Sequence, residues 1–259
     1  MQKVRFEYLQ HLVTLPVTAG GVEARFVFDS GIGLTLLSES LAGRIGCEPT
    51  GSTFTGRRMS GQEVGVPLAA LGSLEVGGYS LGDLTVGVFD LGIDGIDGFL
   101  SLDFFRDAPV TVDYGSQQIH VGGPPAGVPV GVRLDRDGPS TAVYLPLELP
   151  NGRVVSVEVD MGSDALILDE RFAAELGIDL EDARKVEGRD ETGHEYARYF
   201  TSLSGTVCVP TAPSLAQRDP EVMFQRIIYD GLVGHAFLRN HVVTFDLPSE
   251  RLVFSTLSA

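Results

Sequence analysis

Tryptophan is absent from this chain of 259 residues, cysteine occurs twice, and lysine and arginine together number only 19. Each scarcity excludes something. Cys47 and Cys208 stand in ordinary contexts, so no disulfide framework is expected, and two unpaired thiols in a reducing cytoplasm are the simplest reading. Against the 19 basic residues stand 35 acidic ones, a formal net charge of −16. Nucleic acid and anionic membrane surfaces, both negative, would be repelled. No apolar run approaches the length of a transmembrane helix. The opening Met1-Gln2-Lys3-Val4-Arg5-Phe6 lacks the apolar core and small-residue cleavage site of a signal peptide. The five histidines show no metal spacing: His194-Glu195 is followed by Arg198 where a zinc helix needs its second histidine. Asp90, Asp94 and Asp97 lack the calcium-loop pattern. No metal or cofactor is therefore expected, and with neither G-x-S-x-G nor a P-loop, serine-hydrolase and nucleotide chemistry have no foothold.

What is present is hydrophobic content of 43 %, 32 glycines and 14 prolines. These values fit a soluble globular protein with many turns, and the helix-period stretches are short, so a β-rich body is expected. The length suits two compact units. Two segments organise them. Ala24-Arg25-Phe26-Val27-Phe28-Asp29-Ser30-Gly31 and Val155-Ser156-Val157-Glu158-Val159-Asp160-Met161-Gly162 each alternate apolar residues as a half-buried strand and deliver one aspartate onto a glycine-containing turn. The two aspartates lie 131 positions apart.

The surrounding landmarks recur at nearly that spacing, 130 or 131 before the aspartates and 133 in the closing segments. Leu15-Pro16 and Gly20-Gly21 lead into the first segment, and Leu145-Pro146 and Asn151-Gly152 into the second. After each aspartate an apolar run meets a helix start, Ser38-Glu39 or Asp169-Glu170, and a glycine stop, Gly46 or Gly177. Polar glycine-bounded tips follow, Thr55 to Gly61 and Gly188 to His194, with 211–228 read as an enlargement of the second tip region. Asp97-Gly98-Phe99-Leu100 and Asp230-Gly231-Leu232-Val233 then precede strands at Val110–Asp113 and Val243–Asp246. Glycine and proline between the halves have linker composition, which gives units at 1–123 and 140–259 joined by 124–139.

An apolar strand ending in Asp-Ser-Gly, a helix, a glycine-tipped hairpin and an Asp-Gly-apolar-apolar segment, all occurring twice, resemble the retropepsin/pepsin-type aspartic protease family in its single-chain, bilobal form. The resemblance covers nearly the whole chain. It implies an all-β fold with short helices, two similar retropepsin-like lobes related by a pseudo-two-fold axis, and Asp29 and Asp160 as a catalytic pair meeting between them. It also implies that Gly31 and Gly162 let backbone approach the carboxylates. The hairpins become flaps, which makes Arg57, Arg58, Met59, Asp190 and His194 candidate substrate-covering residues. Two carboxylates in contact cannot both ionise cheaply and so share a proton, one serving as base and the other as acid toward a water that attacks a peptide carbonyl.

The chain departs from the family pattern where each aspartate is usually followed by an interlocking hydroxyl: Ser30 fits, but Met161 cannot donate a hydrogen bond. Ser163, opposite Ile32 in the other copy, is expected to bond Asp160 and leave it charged, with the shared proton on Asp29. The reading is an aspartic-type endopeptidase, a monomer taking a peptide or small molecule in its inter-lobe cleft. Two alternatives stand beside it: acid–base chemistry on a small molecule, such as cyclisation, dehydration or rearrangement, and a non-catalytic peptide- or ligand-binding module.

Overall fold

The computed structural model describes residues 2–189 and 195–257. Leu12–Ala19 and Val22–Phe28 form a hairpin that turns at Gly20 and Gly21, both at positive φ (54° and 80°), where glycine carries no steric cost. Along the first strand Val13, Leu15, Val17 and Ala19 all point inward, as a period of two demands. Val22–Phe28 then pairs in parallel with Gly98–Leu100, which runs antiparallel to Leu36–Ser38. That strand pairs in parallel with Tyr79–Phe89, and Glu63–Val76 and Glu48–Arg57 complete the sheet.

The second half repeats this order. Ser140–Glu148 leads into Val154–Val159, which pairs in parallel with Gly231–Val233. Next come Leu166–Asp169, antiparallel to it, then Glu221–Gln225 in parallel, then Glu195–Ser202 and Arg184–Arg189. Equivalent residues also face equivalent partners: Thr14 lies opposite Val27 as Tyr144 lies opposite Glu158.

A third sheet joins the lobes, in the order Gln2–Arg5, Gln118–Val121, Val110–Asp113, His241–Asp246, Arg251–Thr256 and Val128–Gly131. Val110–Asp113 pairs antiparallel with His241–Asp246, and the hydroxyls of Thr111 and Thr244 meet at 2.8 Å on the pseudo-two-fold axis. One apolar cluster, from Phe6 and Phe28 to Phe245 and Phe254, runs without a break through both lobes.

Three local expectations take a different form. Within 124–139, read by composition as linker, Val128–Gly131 and Arg133–Asp137 are strands. They repeat what Gln2–Arg5 and Glu7–Leu9 do at the start of the chain. Pro129 disguises the first of them, but it lies on an outermost strand, where a missing N–H costs no sheet bond. Residues 211–228 do not enlarge a flap: Ala212–Arg218 closes an edge hairpin with Thr206–Val209, and Glu221–Gln225 enters the sheet interior. The first predicted helix is an α-helix, Glu39–Ile45, whose Ser38 hydroxyl accepts the Leu41 N–H and whose Gly46 end has φ 66°. Its second-lobe counterpart is two 3₁₀ turns, Glu170–Phe172 and Ala174–Leu176. Among the described residues no helix is long and apolar enough to cross a membrane.

Candidate active site

Each aspartate sits one residue past the end of its strand and is tied there by the neighbouring parallel strand. The Asp29 N–H donates to the Leu100 carbonyl and the Asp160 N–H to that of Val233, both at 3.0 Å. The Asp-Gly segments lock these strands from the other end. Asp97 Oδ2 accepts the Arg25 N–H at 3.0 Å, and Asp230 Oδ2 accepts the Ser156 N–H at 2.9 Å. Arg44 and Arg171 occupy the second oxygens of those two carboxylates. Gly98 and Gly231 are needed there because any Cβ would press on the Phe26 ring or on the Ile167 carbonyl.

The two turns meet. Asp29 Oδ1 accepts the Gly31 N–H at 2.9 Å and, across the lobe boundary, the Gly162 N–H at 3.2 Å. Gly162 N–H also reaches Asp160 Oδ1 at 2.9 Å, and the two carboxyls are hydrogen-bonded to each other. A Cβ on Gly31 would overlap the Asp160 carboxyl, and one on Gly162 would stand 2.5 Å from Asp29 Oδ2. Each lobe's glycine thus makes room for the other lobe's acid.

Ser30 is the bolt between the turns. Its hydroxyl, buried, donates to the Val159 carbonyl at 2.6 Å and accepts the Met161 N–H at 3.0 Å. The Met161 side chain is equally buried and contributes packing alone. His11, from the turn between Glu7–Leu9 and Leu12–Ala19, donates Nε2–H to the Gly162 carbonyl at 3.0 Å.

Burial raises both aspartates, but unequally. N–H groups of Gly31, Gly162 and Ile32, together with the bond from Asp160, hold Asp29 down against that rise. Asp160 is pushed well above the ordinary carboxylate range, by burial first and then by Asp29 and Glu158. The two acids titrate together as a pair, and the hydrogen bond expected from Ser163 is not among the groups that set their balance. The Ser163 hydroxyl makes no hydrogen bond to Asp160; its backbone N–H and carbonyl are the groups engaged, with the Asp160 carbonyl and the His235 N–H.

Glu158 is the residue that sequence reasoning passed over. It is 5 % exposed, two residues before Asp160 on the same side of the strand, and burial followed by the Asp29 and Asp135 charges pushes its carboxyl up to about 8. Tyr144 lies opposite it in the sheet, and the Tyr229 ring packs against that of Tyr144 at 6.0 Å. The signal was available, since Ser156, Glu158 and Asp160 alternate with three valines, but a polar face in such a pattern ordinarily faces water.

The first-lobe hairpin closes over this floor. Arg58 and Gln62 bracket its tip, with Gly61 N–H to the Arg58 carbonyl at 2.8 Å. The Met59 carbonyl accepts the Ile228 N–H at 2.9 Å, and its side chain packs against Ile167, Met223, Ile227 and Leu232 of the other lobe. Arg57 stays exposed and pairs with Glu63 at 3.3 Å. Arg58 is half-buried at the tip. Asp190 and His194 lie outside the described residues, between Arg184–Arg189 and Glu195–Ser202.

Residues 15–104, which hold the first aspartate, its flap and its Asp-Gly segment, match the family described as aspartyl protease. The fold is that of the aspartic proteases, single-chain and two-lobed. No curated protein matches the chain. A solved structure titled "Crystal structure of edgp" is similar with a TM-score of 0.59 at 11 % identity, over 98 % of this chain and 94 % of that one. At that identity the likeness is one of fold, and it spans the second lobe, beyond the matched residues, as well as the first.

Proposed function

We propose that this protein is an aspartic-type endopeptidase that activates water between Asp29 and Asp160. The observation that carries the reading is the hydrogen-bonded pair itself, one acid from each lobe, with Gly162 N–H donating to both. We infer that Asp160, whose like-charged neighbours Asp29 and Glu158 oppose its ionisation, carries the shared proton and that ionised Asp29 is the base. As the water oxygen attacks the peptide carbonyl, Asp29 takes one water proton and Asp160 donates its own hydrogen bond to the developing oxyanion. Transfer of a proton to the amide nitrogen then lets the C–N bond break and releases an amine and a carboxylic acid. Ser30, Gly31 and Gly162 hold the geometry; Arg58 and Met59 exclude water from above.

The test is cleavage of a broad peptide library by the wild type, Asp29→Asn and Asp160→Asn. Loss of about a thousandfold or more in kcat/KM in each variant, with pepstatin-type inhibition of the wild type, supports the proposal. One observation favours a second reading: Met161 replaces a hydroxyl, and Glu158 adds a third acid, so the same pair could move protons on a small molecule without hydrolysis. An uncleaved library with carboxylate-dependent turnover of a non-peptide would establish that reading. The setting we infer is a cytoplasmic monomer with two free thiols, divided into lobes at 1–123 and 128–259.

A further inference from the structure

The sheet register lays out the floor of the cleft on the second-lobe side. Tyr144, Glu158, Leu232, Ile167, Met223 and Phe200 follow one another across six adjacent strands, and Met59 of the flap packs on the latter part of that row. Glu158 interrupts an otherwise aromatic and aliphatic surface. Its first-lobe counterpart, in the same register position, is Val27; Tyr144 stands where the first lobe has Thr14. The asymmetry therefore belongs to the second lobe alone.

A buried carboxyl is expensive unless something pairs with it. Among the described residues no side chain or N–H donates to Glu158, although it is 5 % exposed and faces Asp29 and Asp160. The cations beside its tyrosine neighbours, Arg133 at Tyr144 and Arg57 at Tyr229, are engaged elsewhere. Arg133 lies over the Tyr144 ring at 4.0 Å and pairs with Asp135 at 3.6 Å, and Arg57 pairs with Glu63 at 3.3 Å. The charged groups that act on Glu158 among the described residues, namely Asp29, Asp160 and Asp135, are acidic. None of the described residues supplies a positive partner to its carboxyl.

We propose that the second-lobe side of the cleft selects an arginine or lysine side chain next to the scissile bond, with Glu158 as the counter-charge and the Tyr229 ring as the wall. The inference rests on the peptidase reading for the bond that is cut, but not for the side chain that is held. A guanidinium between a carboxylate and an aromatic face gains a charge-assisted hydrogen bond and a cation–π contact together. Burial favours the neutral form of Glu158, and an arriving cation favours the charged one, so binding is expected to release a proton.

Two statine peptides test this, identical except for arginine or its neutral isostere citrulline on the second-lobe side of the statine, titrated calorimetrically in buffers of different ionisation heat. The arginine peptide is expected to bind the wild type at least about tenfold tighter, with net proton release. In Glu158→Gln the two peptides should bind alike and the proton release should vanish. Glu158→Val, which copies the first lobe, serves if the glutamine variant misfolds. Equal affinity for both peptides on the wild type, or an arginine preference that survives loss of Glu158, overturns the inference. Arginine-selective binding with no hydrolysis of the matching peptide amide would sustain it and sink the peptidase reading instead.

Discussion

Glu158 enters the fold protonated, and that sets the direction of its effect on stability. Its folded carboxyl titrates at about 8 against an ordinary 4.5, so the folded chain binds the proton more tightly than the unfolded one. Stability from this group is complete below about 4.5, and it declines as pH rises through about 8. Chemical denaturation of the wild type between pH 5 and 9 should show that decline, flattened in Glu158→Gln; equal slopes for the two would contradict it. The groups facing Glu158, namely Asp29, Asp160, Asp135, Tyr144 and Tyr229, all gain negative charge in the same direction or are already charged. None of them reverses the sign. Ser30 is the other residue with an outsized role, because its hydroxyl satisfies one buried carbonyl and one buried N–H across the lobes. Ser30→Ala should cost about 1–3 kcal/mol in unfolding free energy and depress activity with it; an unchanged denaturation midpoint would sink that account. At this scale the sequence disclosed the aspartates and the bonding glycines, because Asp-Ser-Gly and Asp-Met-Gly name themselves. It hid the buried Glu158 and which oxygen each N–H reaches, neither of which a linear motif encodes.

Among the elements, the helix starts were legible and their weights were not. Ser38 caps one N–H at 3.1 Å, whereas Asp169 caps Arg171 with Oδ1 at 3.0 Å and receives the buried Ile227 N–H on Oδ2 at 2.9 Å. Asp169 thus anchors the loop that carries Ile228 to the flap and Tyr229 to the cleft floor. Ser38→Ala is expected to cost about 1 kcal/mol. Asp169→Ala should cost more than that and raise KM as well, because the loop loses its buried tie; equal losses with KM unchanged would refute the second role. Among the described residues the flap meets the second lobe through the N–H to the Met59 carbonyl, the Met59 side chain, and Gly61, at φ 86°, whose added Cβ would stand 2.9 Å from Ile228 Cγ2. Gly61→Val should therefore hold the flap away from the second lobe. Faster hydrogen exchange over 57–63 and a higher KM are the expected result, and unaltered exchange would count against the closure described. The hairpins themselves were readable from glycine and polar tips. The edge strand at Val128–Gly131 was not, because glycine and proline give the same signal in a connector and on a sheet margin, and only the pairing with Arg251–Thr256 separates them.

At the scale of the whole molecule, two near-copies are joined along a strand pair that sits on their symmetry axis. Val110–Asp113 of the first lobe faces His241–Asp246 of the second, and the register sets Thr111 opposite Thr244, its own counterpart in the repeat. Such a join is self-complementary: a second copy of the first lobe offers the same edge in the same orientation. The apolar cluster also crosses the join without a gap, so separating the lobes exposes Val110, Val112 and Phe28 as well as a row of unpaired backbone groups. Intact protein is accordingly expected to unfold in one calorimetric transition; two well-separated transitions would mean that the shared sheet couples the lobes weakly. The fragment 1–123 provides the sharper test. Alone it should not persist as a folded monomer but pair with itself through Val110–Asp113, bringing two copies of Asp29 together where Asp29 and Asp160 now meet. Sedimentation equilibrium should report a dimer. Thr111→Pro, which removes an N–H at the centre of the paired edge, should return the fragment to an unfolded monomer. A stably folded monomeric fragment would show that the first lobe closes its own core, and the six-stranded sheet would then be a tether between independent units.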